Sequence, residues 1–372
     1  MDIFMLNLTK KNNYLPELHQ NDFTYDHYRV VLKTALLNYE FCSYDALEWS
    51  KPFVLWRHDV DFSLEKALEL AKLESDLGIS ATYFVDLNSR WYNVLEVSQT
   101  KVLRQIKELG HNLGIHFDAQ YYNIKTIEDL EESLLNQKQV FKSFLGENVG
   151  CFSFHNPTPS ELNCGADSYA GLVNCYSDTL SKNVFYCSDS NGYWRHHRLM
   201  DVLEHTRPNF LQVNLHPGWW SRWSDDPRSK VASIAMNKYL KLTSEYDQKL
   251  ISFKRDNMGP IGFLVERNVI SVAEQGIIDF LFHFERYDMV LDLLVPRANS
   301  MNLASFSNIE NKLKTQHSFK EIFEIIFDGR DDFNMNLIRN DISFVKELLP
   351  GLSQYQQVQL CKFVLVLMCM SV

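Results

Sequence analysis

The sequence predicts an α/β protein built on a parallel sheet, followed by a mostly helical C-terminal part. Three observations carry that reading. Short runs rich in β-branched and aromatic residues alternate with amphipathic segments at helical spacing between residues 53 and 254. Several of the strand-like runs end in His or Asp, which is where ligands and metals collect in parallel α/β proteins. Beyond "DNMGPIG" (Asp256–Gly262) the segments turn mostly helical, with no cluster of candidate catalytic residues.

The elements follow in order. "YRVVLKTALLNYEF" reads as an amphipathic helix, and Phe53–Trp56 as the first strand of the repeat. In "SLEKALELAKLESDLG", Leu64, Ala67, Leu68 and Ala71 recur at helical spacing, Ser63 can cap and Gly78 can terminate. "SATYFVDL" is a strand, and "QTKVLRQIKELG" a helix with Val102, Leu103, Ile106 and Leu109 on one face. "LGIHFDA" is a strand. "TIEDLEESLLNQKQVFKSFLG" is a helix opened by a Thr126–Asp129 capping box and stopped by Gly146. "CFSFH", "NVFYCSDS" and "FLQVNLH" are strands, and a long helix runs over about 230–254. Such alternation means a parallel sheet with right-handed crossovers, open or closed. The expected division is a first domain over 1–258 and a helical one over 259–372.

Bulk properties exclude several classes. The chain has 372 residues, 45% hydrophobic and 23% charged, with a formal net charge of -10. That balance lacks the electrostatic footprint of nucleic-acid binding. The seven Cys are odd in number and contain no CxxC pair, which fits free thiols in a reducing cytoplasm. The N-terminus has no basic region followed by a long apolar one, and the "NLT" at Asn7 then carries no meaning as a glycosylation site. The longest apolar run, "FVLVLMCM" near the C-terminus, is too short to span a membrane. It suits a buried helix, or a contact with a second copy of the chain through the C-terminal helices.

The candidate chemistry lies at the strand ends. "FVLWRHDVDFS" starts apolar and then packs Arg57, His58, Asp59 and Asp61 into five residues. Later strands end in His116 and Asp118, in His155 before Asn156 and Pro157, near Asp189 and Trp194, and in His216 before "PGWW". One such end is a satisfied structural residue or a solvated turn more often than a site; five at one edge favour a site. Carboxylates with imidazoles and no Cys cluster suit one divalent ion, Zn²⁺ foremost, with open positions. Side chains alternate along a strand, so Asp59 and Asp61 share a face if the strand runs that far. One carboxylate can then hold metal while the other acts as base, and a His opposite can protonate a leaving amine.

"WRHDVD", "GHNLGIHFD", "SFHNP", "CSDSNGYW" and "VNLHPGWW" resemble, in order, the motifs of the polysaccharide deacetylase family (carbohydrate esterase 4, the chitooligosaccharide deacetylase type), in a divergent intracellular branch associated with surface-polysaccharide genes. The resemblance covers roughly residues 50–255. It implies a distorted (β/α) barrel and metal-dependent removal of an N- or O-acetyl group from a sugar. It implies Asp59 as base, Asp61 and His116 as metal ligands, His216 as acid and Leu215 as a pocket-lining residue. Three positions depart from the family pattern. Val60 stands where its second Asp is, so Asp61 must serve. Gln120 stands where its second His is, leaving His155 or Asp118 to replace that ligand. "HNP" lacks the Arg that holds the base.

The remaining candidates are substrate-binding: Asp118, Asn156, Asp189, Trp194, Trp219 and Trp220, the Trp rings as platforms for sugar C–H faces or as packing against the barrel mouth. Asp189 either fixes the tautomer of an active-site His or caps a turn. His111 reads as a helix-end residue, Cys187 as an inert thiol, and Arg195–His197 as a phosphate contact or a solvated loop. Two other functions fit the same residues: hydrolysis of a different amide, imide or ester, and a metal-free barrel that binds a glycan or protein.

Overall fold

A computed structural model describes residues 19–301 apart from 147, 159, 160, 162, 256–263, 265, 266 and 284, together with 343 and 345–370. The chain divides into two compact units, Met1–Ala235 and Met236–Val372. The boundary expected at Asp256–Gly262 and the "NLT" at Asn7 lie outside the described residues.

The first unit is a nine-stranded sheet. Its strands are β1 (Glu40–Cys42), β2 (Phe53–Val60), β3 (Thr82–Val85), β4 (Asn112–Phe117), β5 (Cys151–Phe154), β6 (Ser168–Tyr169), β7 (Leu172–Asn174), β8 (Phe185–Ser188) and β9 (Phe210–Leu215). The order is β6-β7-β5-β4-β3-β2-β9-β8, with β1 also pairing β2. Every pairing is parallel except β6 with β7. β2 is central: β9 pairs along Phe53–His58, while β1 and then β3 pair with successive halves of the same strand. The two ends of this order, β6 and β8, are not paired to each other among the described residues, so the distorted barrel is open.

Alternation sorts the side chains into two cores. Val54, Trp56, Val60, Ile115, Phe117, Phe152, Val213 and Leu215 face outward into a large core shared with the helices. Phe53, Leu55, Phe84, Cys151 and Cys175 face inward and form a smaller cluster inside the curve of the sheet. Gly114 belongs to the inner face, where a Cβ would sit 2.5 Å from the Phe84 ring.

Four helices cover the outer face: α1 (Tyr25–Leu36), α2 (Leu64–Ser75), α3 (Val97–Glu108) and α4 (Ile127–Leu145). Ser63 caps α2 by accepting from the Lys66 amide, and Thr126 and Asp129 form the expected capping box on α4. Gly146 ends α4 at φ 78°, a left-handed conformation that costs a glycine little. The helix expected near 230–254 spans Pro227–Ser252.

The second unit is helical where described. Val272–His283, Tyr287–Ser300 and Gln354–Met370 surround a core that includes Ile278, Val290, Leu294, Leu360, Phe363, Val364 and Met368. The described apolar side chains of the C-terminal run are therefore buried within this unit's own core. No helix among the described residues is long and apolar enough to cross a membrane.

Candidate metal centre and catalytic site

The site is built on β2, which continues four residues past its expected end, from Trp56 to Val60. Arg57, His58 and Asp59 are thus part of a fully buried strand rather than a turn. The strand tolerates this because each charge has a partner on its own face. His58 points outward and sits 2.6 Å from Glu74 of α2, a carboxylate that also accepts from the Tyr28 and Tyr83 hydroxyls. Arg57 points inward with Asp59. Its Nη2 donates to Asp59 Oδ2 and to Ser153 Oγ, each at 2.7 Å, and to the Tyr176 hydroxyl at 3.2 Å. Arg57 is fully buried and Asp59 2% exposed. Burial, the largest single influence, would raise the Asp59 carboxyl, but the Arg57 guanidinium together with the His116 and His216 imidazoles holds the group below the usual carboxylate range. The second oxygen, Oδ1, is buried without a hydrogen-bond partner. The Arg missing from "HNP" is thus matched by an Arg two residues before the carboxylate it holds. The signal was available: residues i and i+2 of one strand face the same way.

Asp61 follows the end of β2. Its Oδ1 lies 3.2 Å from His116 Nε2 and 3.6 Å from His155 Nδ1, and these two ring nitrogens are 3.0 Å apart. His116 comes from β4 and His155 from the residue after β5. Ligands at 2.0–2.2 Å from one ion are separated by about 3.4 Å in a tetrahedral arrangement and about 3.0 Å at right angles. All three separations fall at or between these values within 0.2 Å. Asp61 Oδ1 is also buried without a hydrogen-bond partner, although two nitrogens lie close to it. The three ligand atoms lie close enough to one another to share a single cation. Burial raises the Asp61 carboxyl and the two imidazoles lower it further, so it is an anion at any working pH. The donor set, one carboxylate and two imidazoles, fits Zn²⁺ or a related divalent ion with open positions. Asn156, at φ 46°, places its side-chain amide 3.0 Å from His155 Nε2. Were Nδ1 to bind a metal, Nε2 would donate, and the Asn156 amide would present its oxygen to it.

His216 follows β9 and lies level with Asp59 across the β2–β9 pairing, which runs in register from Phe53↔Phe210 to His58↔Leu215. Asp189, fully buried, holds it twice: Oδ1 is 2.5 Å from His216 Nδ1, and Oδ2 accepts the His216 backbone amide at 2.9 Å. Trp220 Nε1 donates to the same Oδ2 at 3.1 Å. Burial, the largest single influence, would lower the His216 imidazole, but the charge and hydrogen bond of Asp189, with the charges of Asp61 and Asp59, together push the group up to about 9. A proton is therefore retained there at neutral pH, with Nε2 as the ring nitrogen that Asp189 leaves free.

These groups line one pocket of about 870 Å³, within the range of small-molecule sites. Asp59, Asp61, His116, His155, His216, Asp118, Asn156 and Trp219 all reach it, as do Gln120 and Arg195. Other expected residues do not. Trp220 is fully buried, so it has no open ring face for a sugar; its indole serves Asp189 instead. Trp194 lies outside the lining, stacked 5.2 Å from Phe23 with its Nε1 donating to Asp22. Asp189 spends both oxygens on His216 and Trp220 rather than on a substrate. Leu215 faces the outer core; the pocket residue of that strand is Asn214. Trp194 and Trp220 thus follow the packing alternative and Asp189 the one in which it orients an active-site His; Leu215 differs from Asn214 because on a strand a shift of one residue reverses the face. Asp118 lines the pocket, yet its Oδ1 accepts the Gln120 and Tyr121 amides and so shapes a turn. Asp86, at the end of β3, was overlooked. It is 8% exposed, lines the pocket beside the triad, and its carboxyl is raised by burial. The signal that found the others, a strand run ending in Asp, was present in "YFVD".

No family model matches the chain, and no curated protein matches it. Among solved structures, it is similar to a family 4 carbohydrate esterase from Bacillus anthracis, at 16% identity and a TM-score of 0.30 over 56% of this chain and 84% of that one. It is also similar to a mutant of a CE4 family pseudoenzyme with restored enzymatic activity (13%, TM-score 0.31, 51% and 63%). A third is the chitin deacetylase of the fungal pathogen Colletotrichum lindemuthianum (15%, TM-score 0.31, 52% and 85%). These likenesses are distant and concern the fold alone.

Proposed function

We propose that the chain is a metal-dependent hydrolase that removes an acetyl group, N-linked by preference, from a sugar intermediate of surface-polysaccharide biosynthesis. The observation that carries the reading is the convergence of Asp61, His116 and His155 beside two differently tuned groups, Asp59 and His216. The sugar and its biosynthetic setting rest on the motif resemblance. Asp61, His116 and His155 would hold the ion, which when bound lowers the pKa of water and polarises a carbonyl. Asp59, ionised and held by Arg57, has one unpartnered oxygen to take a proton from an attacking water. His216, charged through Asp189, has a proton to give to the departing amine. Two titratable groups pushed in opposite directions across one pocket are what acid–base cleavage of an amide needs.

The test is metal loading followed by product analysis on N- and O-acetylated sugars. The reading expects one tightly held Zn²⁺, Co²⁺ or Ni²⁺ per chain and released acetate. A chain that takes up no metal under any loading condition puts a glycan- or protein-binding module ahead.

A further inference from the structure

The pocket contains a buried acceptor that the proposed reaction does not use. Asn214 is 3% exposed and lines the pocket on β9, two residues before His216. Its Nδ2 donates to the Tyr186 hydroxyl at 3.0 Å, while its Oδ1 is buried without a hydrogen-bond partner. A buried acceptor left unpaired costs about 1–3 kcal/mol, so such an atom in a ligand pocket is a specificity element awaiting a donor. It sits level with Arg57 on β2 and Ser188 on β8, one layer below Asp59 and His216.

We infer that Asn214 Oδ1 accepts the N–H of the scissile amide and so selects N-acyl over O-acyl substrates. The inference rests on the hydrolase reading above and deepens it. The sheet order puts the triad on one side of the reacting groups: His116 is on β4 and His155 follows β5, both on the β3 side of β2, and Asp61 lies 3.2 Å from His116. β9 lies on the other side of β2 and carries both His216 and Asn214. In a trans amide the N–H points opposite to the C=O. A carbonyl that faces the triad therefore directs its N–H toward β9, where Asn214 Oδ1 has no other donor. An ester oxygen has no hydrogen to offer and leaves Oδ1 unpaired. Sites built to hydrogen-bond one group discriminate strongly against an isostere that lacks it.

The test uses the full-length zinc-loaded protein with a matched pair, 4-nitroacetanilide and 4-nitrophenyl acetate, which removes the choice of sugar from the outcome. Asn214→Leu keeps the size and removes the acceptor; Asn214→Asp keeps an acceptor. Asn214→Ser, too short to reach, replaces the Leu variant if that one misfolds by tryptophan fluorescence. Loss of one such hydrogen bond corresponds to roughly a 10- to 100-fold fall in kcat/KM. The expected result is that fall for the anilide alone in Asn214→Leu, with ester turnover unchanged and the anilide preference kept in Asn214→Asp. Binding of the same pair to metal-free protein, read by quenching of the tryptophan fluorescence, loses its amide preference in parallel. Equal loss on both substrates, or an unchanged ratio, overturns the role of Asn214 and leaves the hydrolase reading standing. Wild-type protein that turns over neither compound nor any acetylated sugar overturns both.

Discussion

Replacing Arg57 by Met removes the cation that keeps Asp59 ionised inside the sheet. Arg57 is fully buried, donates to Asp59, Ser153 and Tyr176, and lies over the Phe84 and Tyr176 rings at 5.2 and 5.1 Å. Met fills much of that volume, so the main loss is electrostatic. Breaking one side of a buried ion pair costs about 3–5 kcal/mol, because the remaining charge is left uncompensated. The pH dependence has a definite sign. In the native chain the folded Asp59 carboxyl is lowered, so its contribution is present above the unfolded value of about 3.9 and is lost as pH falls through the folded value. In Arg57→Met the main lowering influence is gone and burial raises the group, so acidification relieves the variant. The gap between the two proteins narrows from pH 7 to pH 5. A second substitution, Asp59→Leu on top of Arg57→Met, removes the stranded charge and restores at least about 2 kcal/mol. Urea unfolding followed by tryptophan fluorescence measures this, because all seven Trp (49, 56, 91, 194, 219, 220 and 223) lie in the first unit. A single-variant cost below about 1 kcal/mol, a cost equal at both pH values, or a double variant weaker than the single refutes the reasoning.

His116→Ala removes a proposed metal ligand 3.2 Å from Asp61 and 3.0 Å from His155, and equilibrium dialysis with zinc should show at least a hundredfold weaker binding with the fold retained. Asp189→Asn removes the charge that raises His216. If the imidazole falls from about 9 toward an ordinary value of about 6.5, its protonated fraction at pH 8 drops roughly 30-fold, and the alkaline limb of the kcat profile moves to lower pH. The accompanying stability term is complete below about 6.5 and is lost as pH rises through about 9, so native and variant should differ in urea midpoint at pH 6 and converge near pH 10. Glu74→Gln weakens the outward network around His58, Tyr28 and Tyr83 and should cost about 1–3 kcal/mol in urea without changing metal stoichiometry.

Strand ends were legible because their chemistry departs from their surroundings: His116, His155 and His216 follow apolar runs that have no other use for an imidazole. Helix limits were legible where caps are local, as at Ser63, Thr126 and Gly146. The length of β2 was not, because a run reading Arg-His-Asp resembles a turn until its partners are known. Those partners, Glu74 and Ser153, lie 16 and 96 residues further on. The face of Leu215 was not legible because hydrophobicity says a side chain is buried without saying on which side of the sheet; it faces the outer core while Asn214 lines the pocket.

By itself, then, the sequence determined the alternation of strand and helix, the edge at which the polar residues gather, and the residue types suited to a divalent ion. The tertiary structure decided which of them meet: His155 rather than Asp118 beside Asp61 and His116, Asp59 with Arg57, and His216 with Asp189. The reason is that strand order and the side-chain period of two decide what enters a common cavity, and both are set by packing between segments far apart in the chain.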